Sequence, residues 1–336
     1  MTDHLLTRWD HAELAILPDF SRATRYDHDV RTAPVPGNVD RSGEIRLRIE
    51  KAIVTAAGPN QGRLPLQRFV DSDGIEKPAL RVIVEEVFSA PIQELVIVVQ
   101  PGSVREFSDA VGREFLSRIV FIEQTNPKGY TDALLRAESV VGASRFLHLV
   151  GDHLYISGDS GRSCVQQLIE AATAEDCAVS AVQATSERLL SHYGVVGGQR
   201  VSGSRLVDIE RVIEKPTPTV AEQELLVPGV RTGKYLCFFG MHVLPPSVFT
   251  ISRELIERNG GNHSTLSQVL NELAVRERYL GIELVGTRYD LGIPYGTLTT
   301  QLALALAGVD RESVLSQIVE LLATHRPSRD AVTRSD

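Results

Sequence analysis

The sequence predicts an α/β protein built on a doubly wound sheet. Short apolar runs recur at Ala52–Ala56, Glu94–Val99, Arg118–Ile122, Phe146–Val150, Ala178–Gln183 and Leu236–Phe239. Runs without an alternating polar residue suit strands covered on both faces. Between several of them, apolar residues fall at three- and four-residue spacing, as in helices that lay one face on a sheet. Gly58 and Gly151 each follow one of these runs within two residues. That puts backbone turns at the edge where open α/β sheets bind ligands.

Residues 1–45 mix charge, Pro34, Pro36 and Gly37 with one short apolar patch, His11–Leu17, and read as an N-terminal extension. The body then runs over residues 46–296. Lys51–Gly58 is a buried strand opening into Pro59–Arg68, a loop rich in turn formers and cations. Pro78–Phe88 puts Leu80, Ile83, Val84 and Val87 on one helical face, with proline suited to the first turn. Asp132–Val140 and Cys164–Ala172 have the same character. Gly197–Glu214 changes to glycine turns between β-branched runs, a hairpin or small meander set on the sheet. Leu298–Leu306 and Val314–Ala323 are amphipathic helices within a C-terminal segment, residues 297–326, that packs on the domain or on a neighbouring subunit. Pro327–Asp336 is a frayed tail.

Composition narrows the function. A hydrophobic content of 43% over 336 residues supports a large core, and a net charge of −8 leaves no basic surplus for nucleic acid. Cys164, Cys177 and Cys237 match neither a disulfide framework nor a zinc spacing, so a cytoplasmic location is expected. No run of about 18 apolar residues marks a membrane span, and no membrane partner is expected.

Several residues sit where chemistry is possible. Gly58 and its loop can bring backbone N–H groups close to a polyphosphate, or form an ordinary βα turn. Asp152 follows an apolar strand and Gly151, which suits a Mg2+ ligand and equally a turn or helix-capping aspartate. Asp290 repeats the pattern before Gly292; the pair can share a metal, or Asp290 can simply shape its turn. Glu214 and Lys215 precede Pro216, which fixes their approach. Lysine offers a point charge to a phosphate and glutamate accepts from hydroxyls, unless the two are a solvated ion pair. Gln124, Gly129, Tyr130 and Thr131 lie on a strand-to-helix loop placed to read a base edge. His148, on an apolar strand, reads as a satisfied core residue. The absence of G-x-S-x-G, G-x-x-x-x-G-K-[ST] and G-x-G-x-x-G argues against an esterase of that type, a P-loop ATPase and a dinucleotide dehydrogenase.

In order, Lys51–Gly58, Lys77–Glu86, Gln124 with Gly129, Val150-Gly-Asp152, Tyr193-Gly-Val-Val196, Glu214-Lys215-Pro216 and Arg288-Tyr-Asp290-Leu-Gly292 resemble the sugar-phosphate nucleotidyltransferases, most closely the bacterial UTP–glucose-1-phosphate uridylyltransferases. The resemblance covers residues 49 to about 300. It implies a Rossmann-like, doubly wound mixed sheet of the glycosyltransferase-A-like type. It also implies an enzyme joining a nucleoside triphosphate, UTP favoured, to a sugar-1-phosphate or cyclitol phosphate with release of pyrophosphate. Asp152 and Asp290 would hold Mg2+, Lys215 the sugar phosphate and Glu214 the sugar hydroxyls. Ala57 and Gly58 would wrap the triphosphate, Gln124 and Gly129 would lie near the base, and Gly151 and Gly194 fall within matched binding motifs. Relatives assemble as homo-oligomers.

The chain departs from the family at three places. Family members carry G-x-G-T-R after the first strand, where this chain has Gly58-Pro-Asn-Gln-Gly-Arg63, displacing the arginine and removing an N–H donor. The lysine of a following Pro-Lys pair is absent, and Arg68 is the candidate substitute. Gly261–Ser267 replaces a Glu-Ile-Gln-Leu-Thr-Asp-like run near the sugar. These changes leave open a non-catalytic nucleotide-sugar-binding or regulatory relative, and a guanylyl- or adenylyltransferase.

Overall fold

The computed structural model describes residues 48–58, 62–125, 129–158, 161–262 and 264–324. The expected N-terminal extension and frayed tail lie outside them. So do Pro59–Gln61 of the first loop and Asn126–Lys128 of the second.

The predicted strands form, most within a residue of the expected ends and two of them longer, and further ones join them. In chain order they are β1 (Lys51–Thr55), β2 (Arg68–Val70), β3 (Glu76–Pro78), β4 (Glu94–Val99), β5 (Ile119–Glu123), β6 (Phe146–Val150) and β7 (His153–Ser157). Then come β8 (Ala178–Ser186), β9 (Gly194–Arg200), β10 (Leu206–Glu214), β11 (Lys234–Leu244), β12 (Tyr279–Glu283) and β13 (Gly286–Asp290). Nine of them make one sheet in the order β5-β4-β1-β6-β11-β8-β12-β10-β9. The β5-β4-β1-β6 side is parallel, whereas β11 runs antiparallel to both β6 and β8, so the sheet is mixed as expected. The Gly197–Glu214 region forms the expected hairpin on the sheet. Its hairpin, β9 and β10, is the edge of the main sheet, because β10 pairs with β12.

Helices cover both faces. They are α1 (Ala79–Phe88), α2 (Val104–Val111), α3 (Tyr130–Val141), α4 (Cys164–Glu175), α5 (Pro218–Glu224), α6 (Ser247–Arg258), α7 (Leu266–Arg276), α8 (Gly296–Ala307) and α9 (Arg311–Thr324). Alternation along β1 shows the two layers directly. Ala52 and Val54 belong to one core layer with Leu80 and Ile83 of α1 and Leu168 of α4, while Ile53 belongs to the other with Leu134 of α3, Phe249 of α6 and Leu270 of α7. A fully buried aliphatic side chain of this kind contributes roughly 1.5–3 kcal/mol. The predicted face of α1 is the buried one: Leu80, Ile83, Val84 and Val87.

Two features position the site. The carboxyl ends of β1 and β6 meet so closely that a Cβ on Gly151 would lie 2.9 Å from Ala56 Cβ and 3.0 Å from Thr55 O. Glycine lets its N–H bond Thr55 O at 2.9 Å there. The second feature is a separate ribbon in which β13 pairs antiparallel with β7, register Asp290 to His153. The C-terminal helices differ from each other: α8 buries Thr300 and Leu304, but α9 buries none of its residues. Among the described residues no helix is long and apolar enough to cross a membrane.

Candidate active site

The β7–β13 ribbon brings Asp152 and Asp290 together. Asp152 stands between β6 and β7, its backbone oxygen accepting from Leu291 N at 2.9 Å. Asp290 ends β13, and its Oδ1 accepts from Gly292 N at 2.8 Å. His153 lies between the two carboxylates, Nδ1 at 2.8 Å from Asp152 Oδ1 and Nε2 at 3.7 Å from Asp290 Oδ2. Ligand atoms of the three side chains all fall within 4.8 Å of one another. Oxygen donors at that spacing, with an imidazole nitrogen, form a donor set that a divalent cation can use.

The electrostatics keep Asp152 ionised. Burial pushes its pKa up, but the neighbouring His153 and Arg288 more than offset this and hold it below the usual aspartate value. Arg288 is buried, its guanidinium 3.7 Å from the Tyr193 ring centroid and donating to Phe238 O. Tyr193 in turn hydrogen-bonds Asp290, and burial raises its phenol pKa.

Beside the aspartates opens a cleft of about 310 Å³, with Gly129, Tyr130, His153, Tyr193, Glu214 and His242 among its walls. Glu214 Oε2 accepts from Ser267 Oγ at 2.5 Å, so the altered Gly261–Ser267 segment touches the predicted sugar-binding carboxylate. Gly194 permits this: a Cβ there would lie 2.4 Å from Ser267 Oγ and 2.8 Å from Phe238 Cδ2. Lys215 has φ 48°, a left-handed conformation unusual for a side-chain-bearing residue, and its N–H bonds Tyr193 O at 3.0 Å. Backbone strain of this sort costs on the order of 1–3 kcal/mol and is concentrated at functional positions.

Beneath the cleft, Tyr130 OH accepts from Thr55 Oγ1 at 3.0 Å and contacts His148 Nε2 at 2.8 Å. His148 is the buried core residue expected, but only half satisfied, since its Nδ1 has no hydrogen-bond partner among the described residues. It stacks on His242 with ring centroids 5.5 Å apart. Burial pushes the His242 pKa down to about 3 and that of His148 well below its ordinary value, so both rings are neutral near pH 7.

Hydrogen bonds hold the described residues that flank the two predicted loops. Gln100 Nε2 donates to Gly58 O at 2.8 Å, and Ala57 is buried in the core. Arg63 is exposed at the start of the short 3₁₀ turn Leu64–Leu66. A Cβ on Gly292 would meet Leu64 Cδ1 at 3.6 Å and Asp152 Oδ2 at 3.8 Å, so this turn lies against the aspartates. In the second loop, Gln124 Nε2 donates to Gly129 O at 3.0 Å and Asp132 Oδ2 at 2.7 Å. Thr131 is buried and donates to Ser264 O at 3.0 Å, tying this loop to the Gly261–Ser267 wall.

Arg68 is placed apart from this group. It sits on the β2–β3 hairpin with Nε 3.0 Å from Glu76 Oε1, in a separate depression shared with Lys77 and Arg81. Lys77, with a side chain 10% exposed, is held by Asp71, Asp73 and Glu85 at 2.8, 2.6 and 2.9 Å. Its role is to neutralise three carboxylates. Lys77→Met should therefore destabilise the fold by about 2–4 kcal/mol, read as a lower denaturant midpoint, since it strands paired charges. An unchanged midpoint would show that solvent screens the cluster fully.

The fold and this arrangement define the class. A family model described as nucleotidyl transferase matches residues 72–300, and the chain belongs to that family. It is similar to UTP–glucose-1-phosphate uridylyltransferase 2 of Streptococcus pyogenes serotype M1, 28% identical over 284 residues covering 77% of this chain and 91% of that protein. A UTP–glucose-1-phosphate uridylyltransferase 1 of S. pyogenes serotype M3 is 27% identical over 300 residues, 82% of this chain and 95% of its own. Among solved structures, a UDP-glucose pyrophosphorylase complexed with UDP-glucose has TM-score 0.63 at 24% identity, covering 76% of this chain and 98% of its own. The UTP-bound enzyme of Acinetobacter baumannii has TM-score 0.61 at 20% identity, covering 82% and 100%. These two share the fold.

His153, Tyr193, Arg288, His242 and Ser267 were not among the residues assigned roles from sequence. Tyr193 and Arg288 lie inside the motifs that carried the resemblance, and His153 follows Asp152 directly. The pairing of β7 with β13 brings His153 and Arg288 to the aspartates.

Proposed function

We propose that the protein is a Mg2+-dependent nucleotidyltransferase that joins UTP to a sugar-1-phosphate, giving a nucleotide sugar and pyrophosphate. The observation that carries this reading is the meeting of Asp152 and Asp290 beside a cleft walled by Glu214. Similarity to uridylyltransferases over most of their length supports the choice of substrates.

In this reaction an oxygen of the sugar-1-phosphate attacks the α-phosphorus of the triphosphate. A new P–O bond forms, the bond from the α-phosphorus to the bridging oxygen breaks, and pyrophosphate leaves with the electron pair. Positioning and charge stabilisation supply the catalysis. Mg2+ held by Asp152 and Asp290 would neutralise phosphate charge as the two substrates approach. Lys215, exposed and with Nζ 3.9 Å from Glu214 Oε1, supplies a point charge for the sugar phosphate. Glu214, fixed by Ser267, accepts from sugar hydroxyls. Gln124 and Gly129 border the base, while Gly58 and Arg63 border the triphosphate.

The deciding experiment is pyrophosphate release from a panel of nucleoside triphosphates and sugar- or cyclitol-1-phosphates with Mg2+. Turnover with UTP above the other bases is expected. No turnover with any pair, together with tight binding of a nucleotide sugar, would replace this reading with a non-catalytic one. Arg63→Ala should raise the KM for the triphosphate by about tenfold, the order expected when one charge-assisted phosphate contact is lost. Arg68→Ala, engaged with Glu76 away from the cleft, should leave it within about twofold. The reverse pattern would move the triphosphate site to the β2–β3 hairpin.

A further inference from the structure

We infer that His153 is a third metal ligand, making the cation site a mixed nitrogen–oxygen site that takes Mn2+ or Co2+ through an imidazole as well as carboxylates. The inference rests on the reading that Asp152 and Asp290 hold a divalent cation. It adds a ligand and a metal class to it.

The geometry is asymmetric in a telling way. His153 Nδ1 is 2.8 Å from Asp152 Oδ1, a full hydrogen bond, whereas Nε2 is 3.7 Å from Asp290 Oδ2, beyond hydrogen-bond length. When Nδ1 donates its hydrogen to Asp152, the Nε2 lone pair points toward Asp290. Two ligand atoms each about 2.1 Å from one ion lie up to roughly 4 Å apart, so the gap of 3.7 Å is one that a shared cation spans. Asp152 then uses Oδ1 to fix the ligating histidine's tautomer and raise its basicity, leaving Oδ2, the oxygen that faces Gly292, to the cation. Neighbouring groups hold the arrangement in place. Gly292 N fixes Asp290 Oδ1 at 2.8 Å, leaving Oδ2 toward the imidazole, and the β7–β13 register sets His153 directly across from Asp290.

Ligand chemistry gives the metal class. Two carboxylates alone suit Mg2+, a hard ion that prefers oxygen. An imidazole nitrogen favours first-row transition ions, with affinity rising from Mn2+ to Co2+. His153 therefore governs how well the site separates these ions from Mg2+. It should matter little for Mg2+ itself.

The test is direct metal binding to the full chain after chelation and dialysis, by titration calorimetry with MgCl2, MnCl2 and CoCl2. Wild-type protein should bind Co2+ at least tenfold more tightly than His153→Gln does, in the range typical for loss of a metal-site partner, while Mg2+ affinity changes less than about threefold. Electron spin-echo envelope modulation of bound Mn2+ should show coupling to 14N in the wild type, and no such coupling in the variant. Because the wild-type spectrum alone reads the nitrogen, the inference stays testable if His153→Gln folds poorly. Bound Mn2+ without 14N coupling overturns it. So does a His153→Gln protein that binds all three ions more tightly, which would mean the imidazole fills the cation's place. Asp152→Asn and Asp290→Asn separate the two readings. Their loss of Mg2+ binding with unchanged His153→Gln behaviour sinks only the third ligand, whereas full Mg2+ binding by both aspartate variants sinks the two-carboxylate site beneath it.

Discussion

Asp152→Asn should lower kcat/KM for pyrophosphate release by at least about 10³-fold, equivalent to roughly 4 kcal/mol of transition-state stabilisation. The substitution keeps shape but removes the charge that His153 and Arg288 hold in the ionised form. It also weakens the hydrogen bond to His153 Nδ1, now 2.8 Å. The melting temperature should stay close to wild type, because asparagine can still fill the site and accept a hydrogen bond there. Measured side by side, loss of turnover with an intact melt assigns Asp152 to the chemistry. Retained turnover would remove it from the metal site altogether.

Gly151→Ala should damage both the fold and the site. The new carbon would meet Ala56 Cβ at 2.9 Å, Thr55 O at 3.0 Å and Ala56 Cα at 3.2 Å. Two of those atoms are backbone, so no side-chain rotation can make room. Overpacking of this kind costs about 1–3 kcal/mol. It should also push Asp152 away from Asp290, so turnover should fall even well below the melting temperature. A variant with an unchanged melt and unchanged kcat would mean that the ends of β1 and β6 can separate freely, against the short Gly151 N to Thr55 O bond.

Much of the sheet was legible because its signal is local. The apolar runs of β1, β4 and β6 lie buried on both faces, and the face of α1 follows from its spacing alone. The start of β5 was misplaced by one residue, since Arg118 closes a preceding 3₁₀ turn instead of opening the strand. The ribbon that builds the site was not legible. The apolar run read before Asp290 is β12; the strand that Asp290 ends, Gly286–Asp290, is a separate one with neither an apolar run nor regular alternation, and its partner lies far away in the chain. Asp152 and Asp290 could therefore be suspected of sharing a metal, as the resemblance also implied, but spacing alone could not bring them together, and His153 carried no signal of its own. Likewise, the spacing of Val314–Ala323 predicted a helix, and α9 is one. Periodicity could not reveal that it would bury none of its residues.

The β7–β13 ribbon also divides the labour of evolutionary change within the site. Side chains alternate faces along a strand, so sliding β13 by one residue against β7 would turn Asp290 to the opposite face. The charge pair is thus inherited as a matter of backbone register, which admits no graded adjustment: a one-residue insertion or deletion in β13 abolishes it. The opposite wall, where Ser267 meets Glu214 and Ser264 meets Thr131, is built from side chains and loop backbone that point substitutions can reshape singly. On the proposed reading of Glu214, change in sugar selectivity would fall on that wall, while the ribbon stays fixed.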